Sequence, residues 1–358
     1  MKKLLLAAGL ALLGAQGFAQ SPKEQALAKG LEAIKLMDNG KIPESIKLLE
    51  EARVLDPNRY DYPYELAYAH YSQEEYKVAI SLLEPLLRHK SCSDKTFQLL
   101  GNSYDMTGDA KKAIATYEAG LHKFPASGPL HLEMGNMEMG QERYQPALEY
   151  YEKGIELAPQ FPSNYYWAAK LYLSSSAKMW GLMYGELFMN LERNSKRTAE
   201  MSKLLYDTYK SGITFPSDSS VSVNFSSHVM SIGDFGKGKK FKMPYSITYG
   251  TTMALAVSQQ RAVNLRTLNL IRSNFISHYY QLKNEEKHPR NILFDYQQQM
   301  AQAGHAEAYN YWLLMKGEED SFIKWRTVSQ GQWDKFVEWY SANPLPVDAR
   351  HKFVRSQF

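Results

Sequence analysis

The segment from Gly233 to Lys240 holds the densest set of residues that could do chemistry: Gly233, Gly236 and Gly238 interleaved with Lys237, Lys239 and Lys240. A phosphate-binding loop needs glycines for close backbone approach, a lysine for the phosphates, a hydroxyl for magnesium and a helix to follow. Lys240 stands where the hydroxyl belongs, and Pro244 arrives too soon for the helix. Asp234-Phe235-Gly236 lacks the partner motifs of a kinase. The segment therefore reads as a solvated hairpin tip, with Lys237, Lys239, Lys240 and Lys242 as a basic loop suited to an anionic partner. The nine histidines include no pair at metal-ligand spacing on a helix and no His-Glu-x-x-His, and no Gly-x-Ser-x-Gly elbow occurs. No catalytic, cofactor-binding or metal-ligating residue is assigned, and no cofactor is expected. The single cysteine, Cys92, excludes an internal disulfide and reads as a small buried residue.

The elements that would position any site follow a repeat. Ser45, Ala79, Ala113 and Ala147 lie 34 residues apart. Other positions fall into columns: Ala33, Ala67, Gly101 and Gly135; Leu49, Leu83, Tyr117 and Tyr151; Ala52, Leu86, Gly120 and Gly154. Pro57, Pro125 and Pro159 close three of the four units. Each unit reads as two amphipathic helices. In the third, Phe97, Leu100, Gly101 and Tyr104 have the spacing of a buried helix face, Gly108 breaks the helix, and Ala113, Tyr117 and Gly120 resume the spacing. Gly101 and Ala113 are small where the two helices would cross. A fixed period of this length means stacked helical hairpins, an architecture that serves as a binding surface more often than as a catalyst.

These columns resemble the tetratricopeptide family. The likeness is strongest in the third unit (Leu100, Gly101, Tyr104, Ala113, Tyr117, Pro125) and the fourth (Gly135, Ala147, Tyr151, Pro159). Departures are Ser45 for alanine, His70 in the tyrosine column, Ser91 in the proline column, and Phe97 and His131 at positions where the family has tryptophan. The resemblance implies a mostly α fold: a right-handed α-solenoid over residues 24–211, with clear repeats at 26–59, 60–93, 94–127 and 128–161 and degenerate ones to 211. It implies binding of a protein or peptide.

Residues Met1 to Ala19 read as a secretory signal: Lys2 and Lys3, an apolar run from Leu4 to Leu13, and Gly17-Phe18-Ala19 as the small-x-small cleavage site. The run is too short to span a bilayer, and no second candidate span follows. The Phe18-Ala19-Gln20 ending is similar to exported proteins of Bacteroidetes-type bacteria. The periplasm is the expected destination, with the extracellular space as the alternative. Removing Lys2 and Lys3 takes the formal net charge from +4 to +2, which gives no ground for nucleic acid or an anionic membrane as partner.

Composition shifts after Gly212. Residues 212–243 read as a β-hairpin and loop linker, because Ser220 to Phe225 alternates polar and apolar, with Phe241 to Met243 as a candidate pairing strand. Residues 244–358 read as an α-rich C-terminal domain: a stripe of Leu265, Leu268, Ile271, Phe275 and Tyr279, then helix pairs at 292–300 with 306–315 and at 322–328 with 333–340. Ala303 to Tyr309 resembles the turn and second helix of the repeat, one residue short.

In stacked hairpins the first helix of each unit lines the concave side. The register then places Tyr64, Tyr68 and Tyr71, with Lys95, Gln98, Asn102 and Asp105, and Leu132, Asn136 and Met139, along a groove. Asn102 and Asn136 lie one period apart, and an amide there can hydrogen-bond a peptide backbone whatever its side chains. Tyrosines offer flat apolar area with a polar tip. The expectation is an exported protein-interaction scaffold, not an enzyme, acting in cell-envelope assembly or secretion. The alternatives are an active site in the C-terminal half, or a glycan-binding module using Trp167, Trp180, Trp312, Trp325, Trp333 and Trp339.

Overall fold

The computed structural model describes residues 20–217, 220–226 and 243–358. The proposed leader, Lys237, Lys239, Lys240, Lys242 and the whole Gly233–Lys240 segment lie outside the described residues. Two compact units divide the chain, one ending at Pro125 and the other running over Ala126–Phe358. The fold is mostly α: helical hairpins of the solenoid kind, further helices after them, and one short β-hairpin.

The first unit contains three hairpins: α1 (Pro22–Asp38) with α2 (Ile42–Leu55), α3 (Asp61–Ser72) with α4 (Tyr76–Leu83), and α5 (Asp94–Met106) with α6 (Ala110–Lys123). Ser21 starts α1 with a reciprocal capping box to Glu24, and Asp109 caps α6 by accepting from the Lys112 amide. Helix α4 is short because Pro85 lacks the N–H needed to carry the α ladder on, and residues Glu84–Arg88 tighten into a 3₁₀ turn. Cys92 is buried, and burial pushes its thiol up, away from reactivity.

The second unit continues with α7 (Gly128–Gly140) and α8 (Tyr144–Leu157), α9 (Pro162–Leu173) and α10 (Lys178–Leu191), and α11 (Lys196–Gly212). The 34-residue spacing persists in these elements: second helices begin at 42, 76, 110, 144 and 178, and first helices at 94, 128, 162 and 196. Strand β1 (Ile213–Ser217) then pairs antiparallel with β2 (Ser220–Val223). The alternation read at Ser220 is a half-exposed strand, but its partner is the segment just before it. Phe241, in the pairing strand expected from the sequence, lies outside the described residues. Helices α12 (Tyr245–Val257), α13 (Leu265–Gln281), α14 (Ile292–Gln302), α15 (Ala306–Leu314), α16 (Glu319–Val328) and α17 (Gln330–Ala342) complete the unit. One core runs through it, from Ala147 and Tyr151 on α8 to Phe353 and Val354 near the end of the chain.

Two local rules build the hairpins. The first is steric. Columns facing each other across a hairpin pair alanine with leucine (Ala33 with Leu49, Ala67 with Leu83) or glycine with tyrosine (Gly101 with Tyr117, Gly135 with Tyr151). A Cβ on Gly101 would overlap the Tyr117 ring, and one on Gly135 the Tyr151 ring. The ring therefore occupies the volume that a methyl group and a smaller side chain share in the other two units. The second rule is the turn. Gly40, Gly108 and Gly304 have φ of +75°, +83° and +79°, and Glu74 and Glu142 take the same turn position at +62° and +59°. The Gly108 amide donates to Asp105 O (2.8 Å) and the next amide, Asp109, to Tyr104 O (3.0 Å). The α14–α15 turn repeats this, with Gly304 to Ala301 O at 3.1 Å and His305 to Met300 O at 2.8 Å. The likeness read at Ala303 to Tyr309 is a shared turn construction.

Gly101→Ala should destabilise the chain by about 1–3 kcal/mol through overpacking, and Gly101→Ala/Tyr117→Leu should recover most of that, because the double variant recreates the pairing of the first two hairpins. Urea unfolding of the four-member cycle measures this; additive losses would refute the coupling. Glu142→Gly should stabilise by about 0.5–1 kcal/mol, since only glycine occupies the left-handed region without cost, read as a raised denaturation midpoint.

Candidate functional site

The first-helix faces are described unit by unit. In the first unit, Tyr68 and Tyr71 on α3 are half-buried, Gln98 and Asn102 on α5 are half-buried, and Asp105 is exposed. Tyr68 leans on the apolar cluster beneath α3, and Tyr71 meets Tyr76 edge-on at 5.3 Å. Tyr64, read as groove-facing, is buried and stacks on Tyr60 at 6.0 Å. Burial, with the charge of Glu65 second, pushes its hydroxyl up, so Tyr64 stays neutral. His70, in the tyrosine column, places Nδ1 2.5 Å from Glu75 Oε2.

Asn102 has a role that the period alone did not disclose. The Tyr117 hydroxyl donates to Asn102 Oδ1 at 2.6 Å, leaving the Nδ2 donor outside that bond. In the second unit the Tyr151 hydroxyl donates to Asn136 Oδ1 at 3.0 Å, and Asn136 Nδ2 donates to Glu133 Oε2 at 3.0 Å. Each asparagine is thus held by the tyrosine that packs on the neighbouring glycine. Its amide is pre-oriented, so little side-chain entropy remains to be lost there.

Also in the second unit, Leu132 and Met139 on α7 are half-buried against the core. The same register on α9 and α11 brings up residues that the sequence reading did not assign to the groove. Tyr166 donates to Glu200 Oε2 at 2.6 Å, Lys170 pairs with Glu200 Oε1 at 2.8 Å, and Arg197 Nη1 donates to Ser163 Oγ at 3.1 Å. Extending the asparagine column by one more period would have found Lys170.

The most concentrated polar chemistry lies elsewhere in the second unit and was not legible in the sequence. Glu186 on α10 and Arg272 on α13 form an ion pair at 2.7 Å, with side chains only 4% and 6% exposed. Arg272 also donates to Asn310 Oδ1 (2.8 Å) and the Tyr209 hydroxyl (2.9 Å). Glu186 Oε1 accepts from Tyr309 (2.8 Å) and Gln297 as well. Asn190 donates to the Tyr309 hydroxyl at 2.8 Å and accepts from Tyr340 at 2.9 Å. Burial works against the Arg272 charge, but the Glu186 carboxylate, Tyr209 and Tyr309 together outweigh it and hold the guanidinium above its ordinary value. The space beside the pair is about 10 Å³, room for one water and no substrate. The network can tie six helices together; it cannot admit a reactant. Among the described residues no group of three or more His, Cys, Asp or Glu is placed to hold a metal ion, and no helix is long and apolar enough to cross a membrane. The six tryptophans sit at least partly in the interior: Trp312 is buried, Trp325 stacks on Tyr311 at 4.3 Å, and Trp167, Trp180, Trp333 and Trp339 pack against the core.

A family comparison agrees with the repeat reading. Residues 31–89 match the tetratricopeptide repeat family. No curated protein matches the chain in sequence. Among solved structures, a thermophilic TPR protein of Thermus thermophilus is 16% identical, with 50% of this chain and 98% of that one covered at a TM-score of 0.43. Pseudomonas aeruginosa PilF is 18% identical, with 54% and 86% covered at 0.45. MamA of Desulfovibrio magneticus is 17% identical, with 48% and 98% covered at 0.38.

Glu186→Gln and Arg272→Met should each cost about 3–5 kcal/mol, because each strands a buried charge or its donors, whereas Glu186→Met/Arg272→Met should cost clearly less than the sum. Chemical denaturation measures all three. Additive losses would mean that the two side chains act independently.

Proposed function

We propose that the chain is a tetratricopeptide-repeat protein, as the match over residues 31–89 supports, and an exported scaffold that docks a protein or peptide segment along the first-helix faces of its hairpins. The residues assigned are Tyr64, Tyr68, Tyr71, Gln98, Asn102 and Asp105 on the first unit and Asn136 and Met139 on the second. Tyr64 contributes from beneath, as packing for its neighbours. The observation that carries the reading is the pair of asparagines one period apart, each oriented by a tyrosine hydroxyl. An amide fixed in this way can hydrogen-bond the main chain of an extended partner whatever its side chains, and the first unit's tyrosines supply apolar contact. No chemistry is required of the site. The leader read at Met1 to Ala19 supports export to the periplasm, and location together with repeat type favours cell-envelope assembly or secretion as the process.

Affinity capture from the envelope of the native host, with the mature chain as bait, tests the reading. Tyr68→Ala/Asn102→Ala/Asn136→Ala, checked for unchanged helicity, should lose the captured proteins by about tenfold or more. Tyr117→Phe/Tyr151→Phe, which keeps both amides but removes the hydroxyls that orient them, should lose less. Equal capture by the parent and the triple variant would rule out the first-helix faces as the docking surface.

A further inference from the structure

After α17 the chain runs back without an α-helix or strand, apart from a 3₁₀ turn at Arg355–Gln357. It lies over α8, α10 and α12, all within the second unit. Its manner of attachment is that of a bound peptide. The backbone hydrogen bonds of this stretch are local, such as Asp348 N to His351 O (3.1 Å) and Gln357 N to Val354 O (3.0 Å). What holds it is side chains. Phe353 is fully buried, with its ring 5.8 Å from Tyr184 and 6.1 Å from Trp180. Phe358 packs on Tyr245 at 4.3 Å and on Trp180 at 5.8 Å. Between them Arg355 makes a two-point contact with Glu152, Nε to Oε1 and Nη2 to Oε2, both at 3.1 Å. Its amide donates to the Tyr184 hydroxyl at 2.9 Å, Gln160 Nε2 donates to Val347 O at 3.1 Å, and Lys352 lies 3.6 Å from Glu156.

The surface beneath is built for such an occupant. The Glu152 side chain is only 9% exposed, and it already accepts from the Tyr172 and Tyr184 hydroxyls at 2.9 and 3.0 Å. With the segment lifted away, the carboxylate would keep two neutral donors and no cation, beside an aromatic wall of Trp180, Tyr184 and Tyr245. That combination selects a guanidinium, whose planar fork matches a carboxylate, over an ammonium. Lifting the segment breaks no helix, because none of its main-chain bonds belongs to one of the helices it covers.

We propose that residues 347–358 are a tethered peptide ligand. The surface they cover is a second docking site for an extended segment of the same chemistry: an aromatic residue, an arginine two positions on, and a second aromatic three positions further. A partner segment of that kind would exchange with the chain's own. This site is separate from the first-helix faces and stands or falls independently of them.

The test uses the full chain and a labelled peptide with the sequence of residues 347–358, read by fluorescence anisotropy. Phe353→Ala/Phe358→Ala weakens the chain's own segment, so this variant should bind the peptide one-to-one, with a Kd about tenfold or more below that of the parent, where the tethered copy competes. An Arg355→Ala peptide should bind about tenfold more weakly, and an Arg355→Lys peptide should fall between. No saturable binding by a variant of unchanged helicity would overturn the proposal. Adding Tyr68→Ala/Asn102→Ala/Asn136→Ala to that variant should leave peptide binding unchanged; a loss would move the site to the first-helix faces and overturn the assignment to this surface. Should the phenylalanine variant lose helicity, hydrogen exchange on the parent decides. Amides of residues 347–358 should exchange by local opening, faster than those of α10, and exchange at the α10 rate would refute a detachable segment.

Discussion

The close crossing of two helices at one small residue per hairpin is the constraint on which the rest depends. Neither helix of a hairpin can bury its apolar face alone, so the pair must approach until side chains interlock, and the crossing point has room for a fixed volume. The chain meets that volume in two ways, alanine against leucine or glycine against tyrosine. The second solution has a consequence that the first lacks. A tyrosine brings a hydroxyl to the first helix, and in both hairpins an asparagine accepts it. Packing and amide orientation are coupled at those positions, because the ring that fills the crossing also aims the amide.

The second unit meets a different demand. The hairpins of an array expose an apolar face at each end, and α11 would present one if nothing followed. Here the later helices cover it. Gly317 lies so close to the Tyr206 ring that a Cβ would overlap it, Ser202 accepts from the Lys316 amide at 3.1 Å, and Glu318 accepts from Tyr206 and from the Leu265 amide. Behind that seam sits the Glu186–Arg272 pair. An apolar plug of the same volume would pack at least as tightly, but it would tolerate several arrangements of six helices. A buried charge with five directional donors tolerates few, since each misplaced helix leaves a donor or the carboxylate unpaired.

Glu152 applies the same logic nearer the surface. It is a mostly buried carboxylate whose cation, Arg355, comes from the segment after the last α-helix. The contrast with Glu186 is one of donors: one carboxylate is locked by helices, the other by a tail.

The sequence by itself determined the hairpins. The period, the small-residue columns and the turn positions are local or repeat at a fixed separation, and a helix face reports its burial through spacing along the chain. Its register also singled out Tyr68, Asn102 and Asn136 on the first helices, the residues of the proposed docking faces. Only the tertiary structure decided that Tyr64 is interior, that Asn102 and Asn136 are held by Tyr117 and Tyr151, and that β2 pairs with Ile213–Ser217. It alone placed residues 128–212 and 245–358 around one core. Glu186, Arg272, Asn310 and Tyr340 stand far apart along the chain, and nothing periodic relates them. A lone glutamate on one helix and a lone arginine on another look like solvated charges until the fold removes the water around both, and then each becomes the strongest reason for the other's position.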